Sequence, residues 1–221
     1  MRSHSGHNPT NQIVRLSLCL VLGLAMAASA RSSLQDLHDS WPPDANPQYF
    51  PVNVFSADPG TSNFESRWYA AQLRADHEPS LLDAAKDQST VIYRFIWLRT
   101  FHQPIIVRLV IDQDGIGRLT AIEMTGQGGF APGVVAKEQT LDVAKQDVTH
   151  FQSLVEAIKY WTMPTEAGPV GNDGAQWILE GVQSGQYHVV VRWSPEGGPY
   201  REACLYMLKL SKIEVNPKQI Y

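Results

Sequence analysis

The chain is poor in cysteine, with only Cys19 and Cys204 among 221 residues. Cys19 sits inside an apolar leader, so the remaining chain keeps one thiol and no internal disulfide; packing must hold the fold even in an oxidising compartment. Cys204 falls on the apolar stripe of a predicted helix and reads as a buried, inert thiol. Long apolar runs are also missing. The uncharged stretch from Leu16 to Ala30 has 15 residues, short of the roughly 18 to 20 that span a bilayer. Basic charge is scarce as well, since 18 Lys and Arg face 22 Asp and Glu. That balance excludes the basic stripe of a nucleic-acid binder or of a protein held on an anionic membrane. No nucleophile-elbow sequence, zinc-type histidine pair or paired cysteine motif is present, so neither a metal nor a cofactor is expected.

What is present begins with a leader. After Arg2 and Arg15 the run "LSLCLVLGLAMAASA" ends at Ala28-Ser29-Ala30, the small-x-small pattern that a signal peptidase reads. The expectation is an exported protein, periplasmic or secreted, cleaved near Ala30. Removing residues 1–30 takes two arginines and no acid, which leaves 191 residues with a net charge of −6. Residues 31–62 carry five prolines and read as an extended lead-in, with a short helix near Leu34–His38 and with Trp41, Tyr49 or Phe55 draped over the domain. One domain over residues 63–213 and a loose tail over 214–221 complete the predicted organisation.

Within that domain the periodicity predicts helix, three-stranded meander, strand, helix, hairpin and helix. Ser62 or Asn63 caps a helix bearing Phe64, Trp68, Ala71 and Leu73. "VIYRFIWLR", "PIIVRLVID" and "IGRLTAIEM" are strands, with Arg94 and Arg108 pointing outward and keeping their charged ends wet. Between the last two strands, a three-residue loop at Gln113-Asp114-Gly115 sorts the faces best, lining Val107, Leu109 and Ile111 up with Leu119 and Ala121. A calcium loop is excluded there, because with Gly115 sixth its first and twelfth positions would be Val110 and Ala121. "GQGGFAPG" is followed by a strand from Val134 to about Leu141 rather than a helix, so it is no phosphate cradle. A helix over about 147–161, capped by Asp147, carries Val148, Phe151, Leu154, Val155 and Ile158. The last helix opens on Gly198 and Pro199 and buries Ala203, Tyr206, Met207 and Leu210. The predicted fold class is α+β, an antiparallel sheet of hairpins and meander with amphipathic helices packed on one face.

The chemistry-bearing candidates cluster in "WILEGVQSGQYHVVVRWSP". A two-residue loop at Ser184-Gly185 sets Glu180 beside Val189. A three-residue loop, Gln183-Ser184-Gly185, sets it opposite His188 and gathers Trp177, Leu179, Tyr187, Val189, Val191 and Trp193 on one face, and that register is the expectation. Glu180, His188 and Arg192 are then weak candidates for an acid–base site in a small hydrolase. The structural alternative, cross-strand polar pairing, needs no chemistry. Arg99, His102 and Arg201 are weak candidates for an anion-binding pocket, with Arg192 a further cation for it, provided that their charges converge.

The stretches "FIWLRTFHQPIIVRL", "GQGGF", "DGAQWILEGVQSGQYHVVVRWSP" and "YREACLYMLKL" together resemble a group of uncharacterised bacterial exported proteins in which they recur in this order, over about Phe64 to Ile213. The resemblance implies a bacterial, exported domain and assigns no catalytic residue. The expected function is a non-enzymatic binding or accessory module for a protein or a small anionic ligand, with no nucleic-acid partner. The small hydrolase is the alternative.

Overall fold

The protein is described from a computed structural model covering residues 48–126 and 131–221. The leader, the Leu34–His38 helix, Trp41 and the centre of the glycine-rich loop lie outside those residues.

Six antiparallel strands form one sheet: β1 (Val91–Arg99), β2 (Ile105–Ile111), β3 (Gly117–Met124), β4 (Val135–Val143), β5 (Ala175–Gln183) and β6 (Gln186–Trp193), in the order β4-β3-β2-β1-β5-β6. The fold is α+β. A meander supplies the first four strands and a hairpin the last two, joined where β5 lies along β1 with Phe95 opposite Leu179 and Trp97 opposite Trp177. Alternation of side chains along each strand sends Tyr93, Phe95, Trp97, Trp177 and Leu179 to one side, and Ile92, Arg94, Ile96, Ile178 and Glu180 to the other.

Helices α3 (Lys145–Ala157) and α4 (Pro199–Ser211) cover the first side. Val148, Phe151, Val155, Cys204, Met207 and Leu208 interleave there with the sheet aromatics in one core. The opposite side is covered by α1 (Pro59–Ala75), the turn Asp76–Ser80 and the single-turn α2 (Leu81–Ala84), where Leu81 packs on Ile92 and Val182. The lead-in joins this layer as expected: Tyr49, Phe50 and Phe55 are buried, and the Phe55 ring stands edge-on to Tyr69 at 5.0 Å.

Several local expectations hold. The β2–β3 turn is the three-residue loop, with Gly115 at φ +80° and Asp112 Oδ1 accepting from the N–H groups of Asp114 and Ile116. Leu109 therefore faces Leu119, and Val107 faces Ala121. Gly198 caps α4 at φ +90° with Pro199 first in the helix, and Cys204 is fully buried, its thiol pushed up by desolvation.

Other expectations are corrected. Helix α1 starts four residues early, because Asp58 accepts from Thr61 N–H at 2.7 Å and Pro59 suits the first helical position. Ser62 is buried inside the helix and accepts from Phe55 N–H. Asp147 lies in the first turn of α3 but does not cap it; its Oδ1 accepts from the Tyr206 hydroxyl at 2.9 Å and ties α3 to α4. That helix stops at Lys159, which adopts φ +53°, before a 3-10 turn, Tyr160–Thr162. The segment 214–221 is not loose, since the tail is hydrogen-bonded to β5, α4 and the β1–β2 turn.

The largest correction concerns the β5–β6 hairpin. Its turn is the two-residue loop, with Ser184 at φ +52° and Gly185 at φ +75°. Both central residues at positive φ match the twist of the flanking strands. Glu180 consequently pairs with Val189, and His188 pairs with Gly181.

Candidate binding site

Glu180 and His188 point to opposite sides of the sheet, so the acid–base pair does not exist. Glu180 is fully buried beneath α1 and α2. Its Oε2 accepts from Arg94 Nε at 2.7 Å and its Oε1 from the Tyr187 hydroxyl at 2.9 Å. His188 lies on the α3–α4 side, with its ring edge-on to Tyr160 at 5.1 Å and its Nε2 buried without a partner among the described residues. Burial holds this imidazole below its usual pKa, so it stays neutral near pH 7.

Arg94 likewise corrects the wet-arginine reading. It is fully buried, and beside Glu180 it contacts Glu78 Oε2 at 3.2 Å and the Pro79 carbonyl at 2.7 Å. Arg94 and Arg108 are directly opposed across β1 and β2, a like-charge pairing that destabilises a sheet unless something intervenes. Glu78 intervenes from the covering turn, accepting from Arg108 Nε at 3.0 and 2.8 Å while also facing Arg94. Two carboxylates thus neutralise two guanidiniums in a closed row. Every named oxygen has a donor, and Arg94 Nη2 is left buried without a partner among the described residues.

Arg192 is also engaged in structure. Its Nη1 donates to the carbonyls of Thr165 and Val191 and its Nη2 to Pro164, while the guanidinium lies 5.6 Å from the Tyr200 ring. These bonds fasten the loop before β5 along the free edge of β6, where Val191 N–H also donates to Thr165 at 2.7 Å.

A second acidic pair lies near that edge. Glu65 on α1 is pushed up to about 8, first by burial and then by the neighbouring Glu166 carboxyl, and Glu166 is raised by its own desolvation. A hydrogen bond between the two carboxyls requires a proton on one of them. Neither lines a hollow described below.

The anion candidates gather at one end of the sheet, and only in part. Arg99 is buried at 4.3 Å from the Trp97 ring, with Nη2 donating to the Gln103 carbonyl; burial pulls it down to about 10. It does not open to solvent. His102 and Arg201 instead meet the tail. Arg201 Nη2 donates to the Ile220 carbonyl at 3.1 Å, its Nε donates to Pro195 at 2.8 Å, and its guanidinium stands 5.2 Å from the Trp177 ring. Trp177 Nε1 donates to the Tyr221 main-chain oxygen at 2.8 Å. The Tyr221 hydroxyl accepts from Phe101 N–H at 3.2 Å and lies 2.8 Å from His102 Nδ1. Burial first, and the Arg99 charge second, hold His102 below its usual value, and a neutral Nδ1 without a hydrogen can accept from the Tyr221 hydroxyl.

Beside this junction lies an open hollow lined by Phe101, Asp173, Pro195, Glu196, Arg201 and Tyr221. It continues past Pro195 and Glu196 to a second hollow bounded by Val170, Arg192 and Trp193. Phe101 is 67 % exposed and Val170 89 %. An apolar floor with cations and carboxylates at its rim suits the capture of a ligand. Sequence reasoning found Arg201 and His102 but missed Tyr221 and Asp173, for which no periodic signal exists.

Among the described residues no group of three His, Cys, Asp or Glu is gathered to hold a metal ion, and no helix is long and apolar enough to cross a membrane. The chain matches no protein-family model and no curated protein.

Proposed function

We propose that the protein is an exported, non-enzymatic binding module whose binding surface is the hollow at the Phe101–Arg201 end of the sheet. The observation that carries this reading is the convergence of an exposed aromatic, Phe101, and a rim cation, Arg201, on one open concavity. On the α1–α2 side, Glu78 and Glu180 pair with Arg94 and Arg108 in one row. Export is supported by the leader and its small-residue cleavage pattern; N-terminal sequencing of the mature protein tests it, with Arg31 as the expected first residue and an intact Met1 as the contrary result.

The hollow is tested with 8-anilinonaphthalene-1-sulfonate, whose fused ring suits Phe101 and whose sulfonate suits Arg201. Fluorescence titration of the wild type is compared with Phe101→Ser and Arg201→Gln. Loss of one aromatic or one charge-assisted contact is expected to weaken the probe by roughly fivefold or more. Equal affinity in all three proteins would remove the support for this surface.

A further inference from the structure

We infer that the segment 167–174, which walls both hollows, is held in place by a proton shared between Glu65 and Glu166, and that the surface releases its ligand when this proton is lost. This rests on the reading of the hollows as a binding surface and adds its regulation. Ala167, Gly168, Pro169 and Val170 line the second hollow, and Asp173 and Gly174 the first. The far end of the segment is fixed. The Gly174 carbonyl accepts from Thr100 N–H at 2.9 Å and its N–H donates to Thr100 Oγ1 at 3.1 Å. A Cβ on Gly171 would lie 2.6 Å from Trp193 Nε1, so the backbone there presses on the indole. Residues 167–170 make no hydrogen bond among the described residues, and the near end therefore sets where they stand. It has two anchors: Thr165 accepts from Val191 N–H at 2.7 Å, and the Glu166 side chain reaches Glu65 on α1.

Only the second anchor titrates. Two carboxyls in contact need a proton on one of them, and the surroundings place it on Glu65. Arg192 on β6 faces Glu166 and favours its charged form, whereas Glu65 is desolvated and its Oε2 is buried without a partner among the described residues. Glu65 thus donates and Glu166 accepts. Tyr69 on α1 lies near both carboxyls; burial keeps it neutral, and its hydroxyl has no partner among the described residues. Loss of the proton leaves two carboxylates in contact, one of them desolvated, and their repulsion parts the segment from α1.

Burial first, and Glu166 second, push Glu65 up to about 8, so the proton is held at neutral pH and lost in mildly alkaline solution. Below that value Glu166 is tied to α1 and the wall stands. Above it the wall hangs between Thr165 and Gly171 alone. Glu166 is itself exposed, which lets the proton exchange with solvent while the fold stays intact. A ligand that needs the wall in place must, by reciprocity, hold the proton more tightly by the same factor.

The experiment titrates 8-anilinonaphthalene-1-sulfonate, whose sulfonate stays ionised throughout, into the full chain at about pH 7 and about pH 9. A complex that requires one proton loses up to about tenfold in affinity per pH unit above the pKa, so the wild type is expected to bind roughly threefold to tenfold more weakly at the higher pH. Glu65→Gln offers Glu166 an amide N–H in place of the acidic proton and is expected to bind equally at both; Glu166→Gln takes its place if that variant misfolds. Asp76→Asn removes the other raised carboxyl of the α1 side and is expected to keep the wild-type dependence, which separates the wall from a general loosening of the fold. The Val191 amide, whose acceptor is Thr165, reports on the segment without any ligand. Its hydrogen-exchange protection, corrected for the intrinsic rate, is expected to fall by about threefold or more over the same interval in the wild type and to hold in Glu65→Gln. Equal dye affinity at the two pH values in the wild type, or an undiminished loss in Glu65→Gln, would overturn the inference and leave the binding surface standing. Dye binding at neither pH would remove the surface, and the Val191 amide would then decide the wall: protection that falls only in the wild type upholds it, and equal protection overturns it.

Discussion

The two sides of the sheet are built on different principles. Beneath α3 and α4, contact is a matter of volume: Phe95, Trp97, Trp177 and Phe151 fill the space, and the Tyr160 and Tyr200 hydroxyls that enter it end on backbone carbonyls. Tyr160 donates to Leu179 and His188, and Tyr200 to Trp177 and Val190. Beneath α1 and α2, contact is a matter of charge order, with Glu78 holding Arg94 and Arg108 together and Glu180 completing the row. The first side is stable wherever shape fits. The second is stable only while each charge keeps its partner, since removing one member of a buried ion pair leaves an uncompensated charge.

Arg94→Met is the largest expected break in that contrast. It leaves Glu180 buried with only the Tyr187 hydroxyl, and an expected loss of about 3–5 kcal/mol follows from the uncompensated carboxylate. Urea unfolding measures it. Pairing the change with Glu180→Leu is expected to recover part of the loss, since an apolar pair no longer strands a charge. On the other side the comparable break is steric. A Cβ on Gly181 would lie 2.8 Å from Tyr160 Cε1, so Gly181→Ala pushes that ring off its two carbonyls at an expected cost of about 1–3 kcal/mol.

Acidity separates the sides further. Asp76, at the end of α1, is pushed up to about 7 by burial and by Glu78, and Glu65 reaches about 8. A carboxyl raised on folding contributes stability that is complete below its ordinary value near 4 and is lost as pH rises through the folded value. Stability is therefore expected to decline from about pH 4 to about pH 8 and to level off above, with a flatter profile in Asp76→Asn and Glu65→Gln. On the α3–α4 side burial raises Tyr160, Tyr200 and Cys204 and keeps them neutral, while the lowered His188 acts in the opposite sense, adding stability as pH rises through the ordinary imidazole value near 6.5.

The same division governs what could be read from the sequence. Strands β1 to β3, helices α3 and α4, and the Gly115 loop follow from period and turn chemistry, because one sorting of faces was clearly better. In the β5–β6 hairpin the sorting misled. Both sides of those strands are covered, so apolar residues occur at odd and even positions alike and a one-residue slip looks favourable. Burial of Arg94 was equally hidden, since its partners lie 16 and 86 residues away and neither spacing is periodic. The tail contacts span 19 to 120 residues in sequence and carry no signal beyond an aromatic residue in an apolar pair.

The smallest expected effect is also the most direct comparison of the two sides. Glu180 and His188 are near one another along the hairpin but share no partner, with the sheet backbone between their side chains. Glu180→Gln weakens the bond to Arg94, and His188→Ala opens space under Tyr160 and Trp161. Each single change is destabilising for its own reason. Independent sites add to within about 0.5 kcal/mol, so the double-mutant coupling measured by urea unfolding is expected to be no larger than that. The register sets this outcome, because in the alternative three-residue turn the two side chains would be cross-strand neighbours and a carboxylate–imidazole pair would couple measurably. A near-zero coupling alongside two substantial single losses is what a two-sided sheet requires; a coupling above about 1 kcal/mol would place both groups on one side.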